Sequence, residues 1–269
     1  MVRFLTLLAL LQIAVAPAAR AAPPPVVDIE LVLAVDVSWS MDIEEQRLQR
    51  EGYVAALRHP DVRTAIARGD WQRIALTYVE WAGNELDRVV VPWQIIESDA
   101  DADAFAAALE AAPISRMRRT SISSVIRRSV ELFDNGIDGM RRVIDVSGDG
   151  ANNMGIAVTA ARDEVLAEGV VINGLPIMIK RSNPGGYFHL AELDLYYEDC
   201  VIGGFGSFMI TVNSADQFAD AIRRKIILEI ASAEPQVVPA AWRPPGSPPR
   251  IDCMIGEKQW RRYRRNDRW

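Results

Sequence analysis

The chain of 269 residues contains only two histidines and two cysteines. Zinc sites and His-dependent nucleophilic catalysis need these residue types at defined spacings. Neither His59 nor His189 stands in a zinc-ligand spacing. The sequence also has no Gly-x-Ser-x-Gly nucleophile elbow and no glycine-rich phosphate-binding loop. These absences argue against zinc hydrolases, serine hydrolases and nucleotide-binding enzymes.

The two cysteines, Cys200 and Cys253, allow one intramolecular pairing. Disulfides persist in oxidising compartments, so this pairing fits a protein outside the cytoplasm. It would tie the C-terminal tail back onto the rest of the chain. Two free thiols are the alternative.

Long apolar runs are scarce, and the clearest one lies at the N-terminus. Arg3 precedes an apolar stretch over residues 4–15, and the small residues Ala19 and Ala21 follow it. This order is typical of a cleaved signal peptide, which we assign to residues 1–21. No later run is long enough to span a bilayer. We therefore expect an exported protein, periplasmic or extracellular, without a transmembrane segment.

Charge is unevenly distributed along the chain. The whole sequence carries a formal net charge of -6, whereas residues 240–269 hold eight Lys or Arg and three acids. An acidic body argues against nucleic-acid binding. We divide the mature chain into a domain at residues 22–233 and a Pro-rich, basic tail at residues 234–269. The Pro-rich stretch of this tail is expected to be extended.

Apolar segments alternate with helical patterns, which is typical of an α/β protein with a doubly wound sheet. The short connection after the second strand predicts that the third pairs antiparallel with it. Pro92 in the third strand favours the sheet edge, where a missing N–H is tolerated. We expect a mostly parallel, Rossmann-like sheet with one antiparallel edge strand. Its six predicted strands are 26–35, 73–82, 88–96, 142–150, 170–179 and 208–212.

The first of these strands ends in the motif Asp-x-Ser-x-Ser at 36–40. Ligands bind at the carboxyl ends of parallel strands in open α/β sheets. Asp36, Ser38 and Ser40 offer a carboxylate and two hydroxyls there, which are hard oxygen donors. The alternative is that Asp36 caps the following helix and the serines form a turn.

Two further polar groups follow other predicted elements of the sheet. Thr120 lies in a loop before a helix, and Asp149 follows the fourth strand. Because parallel strands end at one edge, both can converge with the Asp36 motif. Two carboxylates and three hydroxyls suit Mg²⁺, with Mn²⁺ or Ca²⁺ as alternatives, when water and a partner oxygen complete the shell.

The order of these motifs over residues 26–231 resembles the von Willebrand factor A (VWA) domain and its metal-ion-dependent adhesion site (MIDAS). The resemblance implies that Ser38, Ser40 and Thr120 coordinate the metal directly. It implies that Asp36 and Asp149 act partly through water and that a carboxylate of a ligand completes the shell. It therefore implies a protein partner that offers an acidic group.

The segment at 143–153, Val-Ile-Asp-Val-Ser-Gly-Asp-Gly-Ala-Asn-Asn, resembles an uncharacterised bacterial branch of secreted proteins with this domain. Part of it, Gly148 to Asn153, also resembles the Mg²⁺-dependent haloacid-dehalogenase-like phosphatases. Those enzymes need a second aspartate as general acid where this chain has Ser38. Their later motif ends in Asp where this chain has Asn153.

The threonine loop departs from the VWA pattern, which commonly has a glycine two residues before the threonine. Here Arg118 and Arg119 precede Thr120, with Arg116 nearby. Guanidinium groups form paired hydrogen bonds with carboxylates, so Arg118 and Arg119 are candidate partner-binding residues. Solvated loop charges are the alternative. Trp39 either packs over the site or contacts the partner.

Taken together, the sequence predicts an exported, metal-dependent protein-binding module of adhesion or scaffold type, not an enzyme. The alternatives are a Mg²⁺-dependent phosphatase and a VWA scaffold whose site is vestigial. The identity of the partner does not follow from the sequence.

Overall fold

A computed structural model describes residues 23–83, 87–179, 190–231 and 249–266. The predicted signal peptide, His189 and most of the Pro-rich segment lie outside these ranges, as does the predicted domain boundary at 233. Within the described ranges, no helix is long and apolar enough to cross a membrane.

The described chain alternates strands and helices. The strands are β1 (Val26–Val27), β2 (Glu30–Asp36), β3 (Ile74–Trp81), β4 (Asp87–Ile96), β5 (Asp138–Gly139), β6 (Arg142–Gly148) and β7 (Val171–Pro176). The helices are α1 (Ile43–Arg58), α2 (Pro60–Ala67), α3 (Asp99–Ala111), α4 (Ile122–Glu131), α5 (Val158–Ala167), α6 (Leu193–Tyr196), α7 (Phe218–Ile230) and α8 (Ile255–Asn266). A π-helical turn, Tyr197–Val201, continues α6, and a 3₁₀ turn, Ala215–Gln217, precedes α7.

The main sheet has the strand order β4-β3-β2-β6-β7. All neighbours are parallel except β4, which runs antiparallel to β3 at the edge and contains Pro92. The α/β class, the mostly parallel sheet and the antiparallel edge strand are confirmed. The sheet has five strands, however, and not the predicted six.

The missing strand is the one predicted at 208–212. Met209 and Val212 form only isolated bridges, to Gly174 and Ile177. Phe208 donates its N–H to the side chain of Asn173 (2.8 Å) and not to a strand carbonyl. This segment lies along β7 without a continuous ladder.

The first predicted strand, 26–35, is also divided. β1 pairs with β5 in a separate two-stranded sheet, and β2 begins at Glu30. Between them the Asp28 carboxylate accepts hydrogen bonds from the backbone N–H groups of Trp71 and Arg73. A buried aspartate at this position interrupts the strand because its side chain binds a neighbouring loop.

Helices cover both faces of the sheet, which explains why β2 is apolar from Leu31 to Val35. Leu31 and Leu33 pack in a core with residues of α1, α3 and α7. Val32 and Ala34 point to the opposite face, in a core with residues of α4 and α5. A strand buried on both faces has no polar side, as the sequence indicated.

The break between α1 and α2 falls at His59 and Pro60. His59 is the N-cap, and its Nδ1 accepts a hydrogen bond from the N–H of Asp61 (3.1 Å). Pro60 takes the first helical position, where its missing N–H costs nothing. His59 therefore has a structural role.

Helix α7 is fixed to the sheet by a buried ion cluster. The Nζ atom of Lys225 lies 2.8 Å from Oδ1 of Asp145 on β6 and 2.6 Å from Oε1 of Glu229. Asn173 on β7 donates a hydrogen bond to the other oxygen of Glu229 (2.6 Å). Burial alone would lower the pKa of Lys225, but the two carboxylates outweigh it and raise this pKa. The lysine is therefore charged and couples the helix to both strands.

We predict that Lys225→Ala lowers the free energy of unfolding by about 3–5 kcal/mol, because two buried carboxylates lose their cation. Arg224→Ala, which removes an exposed cation on the same helix, should change it by less than about 0.5 kcal/mol. Urea unfolding followed by circular dichroism measures both. Equal effects of the two variants would refute a structural role for the cluster.

Candidate metal centre

The predicted polar residues meet at the carboxyl edge of the sheet. β2 and β6 are parallel neighbours, with Val35 opposite Ser147. The loops that follow them therefore begin side by side. The loop before α4 joins them, because Met117 donates its N–H to the carbonyl of Val37 (2.9 Å). Three segments distant in sequence thus come together at one point.

A chain of short hydrogen bonds links the serines to the second aspartate. The hydroxyls of Ser38 and Ser40 are 2.6 Å apart, and Ser40 donates to Oδ1 of Asp149 at 2.6 Å. Thr120 faces the same loop, since a Cβ built on Gly150 would lie 3.8 Å from its Oγ1. The structure thus brings all three hydroxyls and Asp149 to one place.

Asp36 lies below these hydroxyls and is fully buried. Its Oδ1 accepts a hydrogen bond from the N–H of Ser38 (2.7 Å). Its Oδ2 is buried without a hydrogen-bond partner among the described residues. Burial, and then the charge of Asp149, raise the pKa of Asp36 well above its usual range. A buried oxygen next to a second carboxylate is the environment that a bound cation stabilises.

The alternative role for Asp36, capping the next helix, is wrong. The side chain of Asp42 caps α1 by accepting hydrogen bonds from the N–H groups of Glu44 and Glu45. In return, the carboxylate of Glu45 accepts a hydrogen bond from the N–H of Asp42. This reciprocal arrangement is a capping box. Asp36 therefore does not cap α1.

Gly148 contributes to the site, although it was not among the predicted site residues. A Cβ on this glycine would lie 2.9 Å from Oδ2 of Asp36 and 3.0 Å from the hydroxyl of Tyr197. Glycine therefore leaves the space into which both polar groups project. Burial, followed by the charges of Asp36 and Asp149, raises the pKa of Tyr197 well above its usual range, so the tyrosine is neutral. The position of Gly148 just before Asp149 was the only sequence signal for it.

Asn152 and Asn153 hold the threonine loop in place. Asn153 accepts the N–H of Thr120 with its side chain (3.1 Å) and donates its own N–H to the carbonyl of Thr120 (2.9 Å). Asn152 accepts the N–H of Ser123 at the start of α4 (3.0 Å). The segment that resembled a phosphatase motif thus positions a loop through its amides.

The three arginines of the loop have different roles. Arg116 donates hydrogen bonds to the carbonyls of Met41 and Trp39, so it fixes the serine loop. The guanidinium of Arg118 lies 4.2 Å from the ring centre of Trp39, which is half exposed. Arg119 adopts a left-handed backbone with φ of 74°. Such a conformation costs a non-glycine residue about 1 kcal/mol, here at the residue next to Thr120.

The described part of the C-terminal tail, residues 249–266, contains helix α8 beside the site, whereas most of the Pro-rich stretch predicted to be extended lies outside the described residues. The disulfide between Cys200 and Cys253 confirms the predicted pairing. Glu257 at the start of α8 accepts a hydrogen bond from the side chain of Asn152 (2.7 Å). Further along α8, Trp260 lies under the guanidinium of Arg119 at 4.3 Å. The segment 249–266 is thus part of the folded unit.

The donor set fits a hard divalent cation. Carboxylates and hydroxyls are ligands that Mg²⁺, Mn²⁺ and Ca²⁺ accept. Among the described residues, no group of three or more His, Cys, Asp or Glu is placed to hold a metal. A site here depends on the hydroxyls of Ser38, Ser40 and Thr120, and the assignment of these residues as ligands stays a prediction.

Solved structures with the same architecture are VWA-domain proteins. Proximal thread matrix protein 1 from the mussel byssus has a TM-score of 0.55 and 14% identity, covering 78% of this chain and 49% of that chain. The pilus adhesin SpaC from Lactobacillus rhamnosus GG has a TM-score of 0.55 and 12% identity, covering 78% of this chain and 31% of that one. A von Willebrand factor type A protein from Catenulispora acidiphila has a TM-score of 0.51 and 14% identity, covering 78% and 43%.

These likenesses establish that the chain has the VWA fold. The chain spans less than half the length of each of these structures. Residues 26–234 match the model of a family described as "Protein of unknown function (DUF1194)", and the chain belongs to that family. No curated protein sequence matches the chain.

We predict that Gly148→Ala weakens Mg²⁺ binding at least about tenfold. The new methyl group would lie within 3.1 Å of Oδ2 and Cβ of Asp36 and must displace this side chain. Gly150→Ala is the matched control, because its methyl group makes only an ordinary contact with Thr120. Calorimetric titration of both variants measures the difference. Equal affinities would contradict the role of Gly148.

Proposed function

We propose that the chain is a protein-binding module of adhesion or scaffold type that recognises an acidic group of its partner through a divalent cation. The observation that carries the proposal is a buried oxygen of Asp36 that has no hydrogen-bond partner within the described ranges. It accompanies the hydrogen-bonded hydroxyls of Ser38 and Ser40 and the carboxylate of Asp149. Unpaired buried carboxylate oxygens are costly, so a site of this kind favours a cation.

Under this proposal, the cation would be held directly by the hydroxyls of Ser38, Ser40 and Thr120. The carboxylates of Asp36 and Asp149 would contribute negative charge, partly through water. When bound, a divalent cation supplies a positive charge that a partner's carboxylate can approach. Mg²⁺ is our first choice, with Mn²⁺ or Ca²⁺ as alternatives. One solved structure of the mussel byssus protein has a zinc-occupied MIDAS motif, which supports divalent binding on this fold.

Export is also part of the proposal. A signal peptide at residues 1–21 would direct the chain to the periplasm or the cell exterior, and the Cys200 to Cys253 disulfide fits an oxidising compartment. The mature protein would comprise a VWA domain at 22–233 and a tail at 234–269 that the disulfide ties back.

The first experiment is calorimetric titration of Mg²⁺ and Mn²⁺ into the metal-stripped mature protein. Asp149→Asn and Asp36→Asn keep the shape of the side chain and remove the charge, so we expect both to abolish binding. Asp163→Asn, which changes an exposed acid on α5, should bind as the wild type does. Loss of binding in the first two variants alone would support the proposal.

Absence of binding by the wild type at millimolar metal would contradict a metal site that forms without a partner. It would favour a VWA scaffold with a vestigial site. Hydrolysis of p-nitrophenyl phosphate by the wild type and not by Asp36→Asn would favour the phosphatase class instead.

The arginine pair should affect the partner but not the metal. In the double variant Arg118→Ala, Arg119→Gly, we expect Mg²⁺ affinity to stay within about threefold. Glycine is chosen at 119 because it accepts the positive φ of that residue. Binding of fluorescein-labelled hexa-aspartate in Mg²⁺ should fall about tenfold, because charge-assisted hydrogen bonds are lost. Fluorescence anisotropy measures it, with EDTA as the control. Equal peptide affinity of the wild type and the double variant would show that Arg118 and Arg119 are solvated loop charges and do not bind the partner.

A further inference from the structure

Helix α8 forms the far wall of a pocket whose floor is the candidate metal centre. The pocket has a volume of about 670 Å³. Ser38, Ser40 and Thr120 line it on the side of the sheet, and Trp260 and Arg264 line it on the side of α8. This volume is in the range of pockets that enclose a drug-sized ligand or a few residues of peptide.

The walls of this pocket combine cationic and aromatic groups. Arg118 lies over Trp39, and Arg119 lies over Trp260. Tyr263, one turn further along α8, stacks on Trp260 with ring centres 5.5 Å apart. Planar guanidinium and aromatic surfaces favour stacking of another aromatic ring, and guanidinium groups favour carboxylates.

The wall contributed by α8 is firmly attached. A Cβ on Gly256 would lie 2.1 Å from the carbonyl oxygen of Asn152, so the backbone of the helix contacts the loop directly. The bond from Asn152 to Glu257 and the disulfide at Cys253 add two further attachments. The pocket is therefore a pre-formed feature and needs no closure around a ligand.

We infer that this pocket binds a short peptide segment of the partner in which an acidic residue stands close to an aromatic one, and that α8 provides the selection for the aromatic residue. The inference rests on the proposed function, which supplies the metal and its preference for a carboxylate. Three guanidinium groups, Arg118, Arg119 and Arg264, line the pocket of a chain whose net charge is negative, so charge complementarity favours an acidic occupant.

The test is a selection from random hexapeptides displayed on phage. The full mature protein is immobilised in Mg²⁺, and bound phage are eluted with EDTA. We expect the eluted sequences to be enriched in Asp or Glu together with Phe, Tyr or Trp. The most enriched hexapeptide is then synthesised with a fluorescein label and titrated against variants of α8.

Arg264→Ala and Trp260→Leu should each weaken this peptide about tenfold and leave Mg²⁺ affinity unchanged. Arg262→Ala, which removes a cation from α8 away from the pocket, is the matched control and should bind as the wild type does. A selection repeated on Trp260→Leu should still enrich acidic residues and lose the aromatic preference.

The result that overturns the inference is Mg²⁺ binding with no aromatic enrichment, or peptide affinity that is equal in the wild type and both α8 variants. The proposed function itself would survive either result. Failure of the wild type to bind Mg²⁺ would instead remove the proposed function on which the inference rests.

Discussion

Two carboxylates, Asp36 and Asp149, are brought together at the carboxyl edge of the sheet, and the surrounding structure depends on how their charges are accommodated. One oxygen of Asp36 accepts the N–H of Ser38, while the other is buried without a partner in the part of the chain that the structure describes. Burial, and then repulsion from the charge of Asp149, raise the pKa of Asp36. The hydroxyl of Ser40 donates a hydrogen bond to Asp149, which offsets only part of the free-energy cost of holding two carboxylates close together. A neutral hydroxyl cannot neutralise the negative charge of either carboxylate.

The rest of the fold holds these groups in position. β2 and β6 fix the two aspartates through their parallel register, and α7 is fixed behind β6 by the buried cluster around Lys225. The side chain of Asn153 holds the Thr120 loop by accepting a hydrogen bond from the N–H of Thr120. Gly148 leaves the room into which the Asp36 oxygen and the Tyr197 hydroxyl project. A site built on rigid elements keeps its geometry before any ligand arrives.

Much of the sheet and the candidate site could be predicted because their signals are local. An apolar run that ends in Asp-x-Ser-x-Ser indicates both the strand and the oxygen donors, and Pro92 indicates the edge strand. The remainder depends on contacts between distant residues. The segment 208–212 has strand-like composition but pairs only at isolated bridges. The two cysteines predicted that the tail is tied back, and the disulfide agrees. The hydrogen bond from Asn152 to Glu257, which places helix α8 beside the site, has no local signal in the sequence.

A divalent cation held by the hydroxyls at the sheet edge is the central claim, and diffraction from crystals grown in Mn²⁺ tests it most directly. Data recorded at the manganese absorption edge should show one strong anomalous peak within about 2.5 Å of the hydroxyl oxygens of Ser38, Ser40 and Thr120. A peak at any other place, or none at this edge of the sheet under saturating Mn²⁺, would contradict the claim.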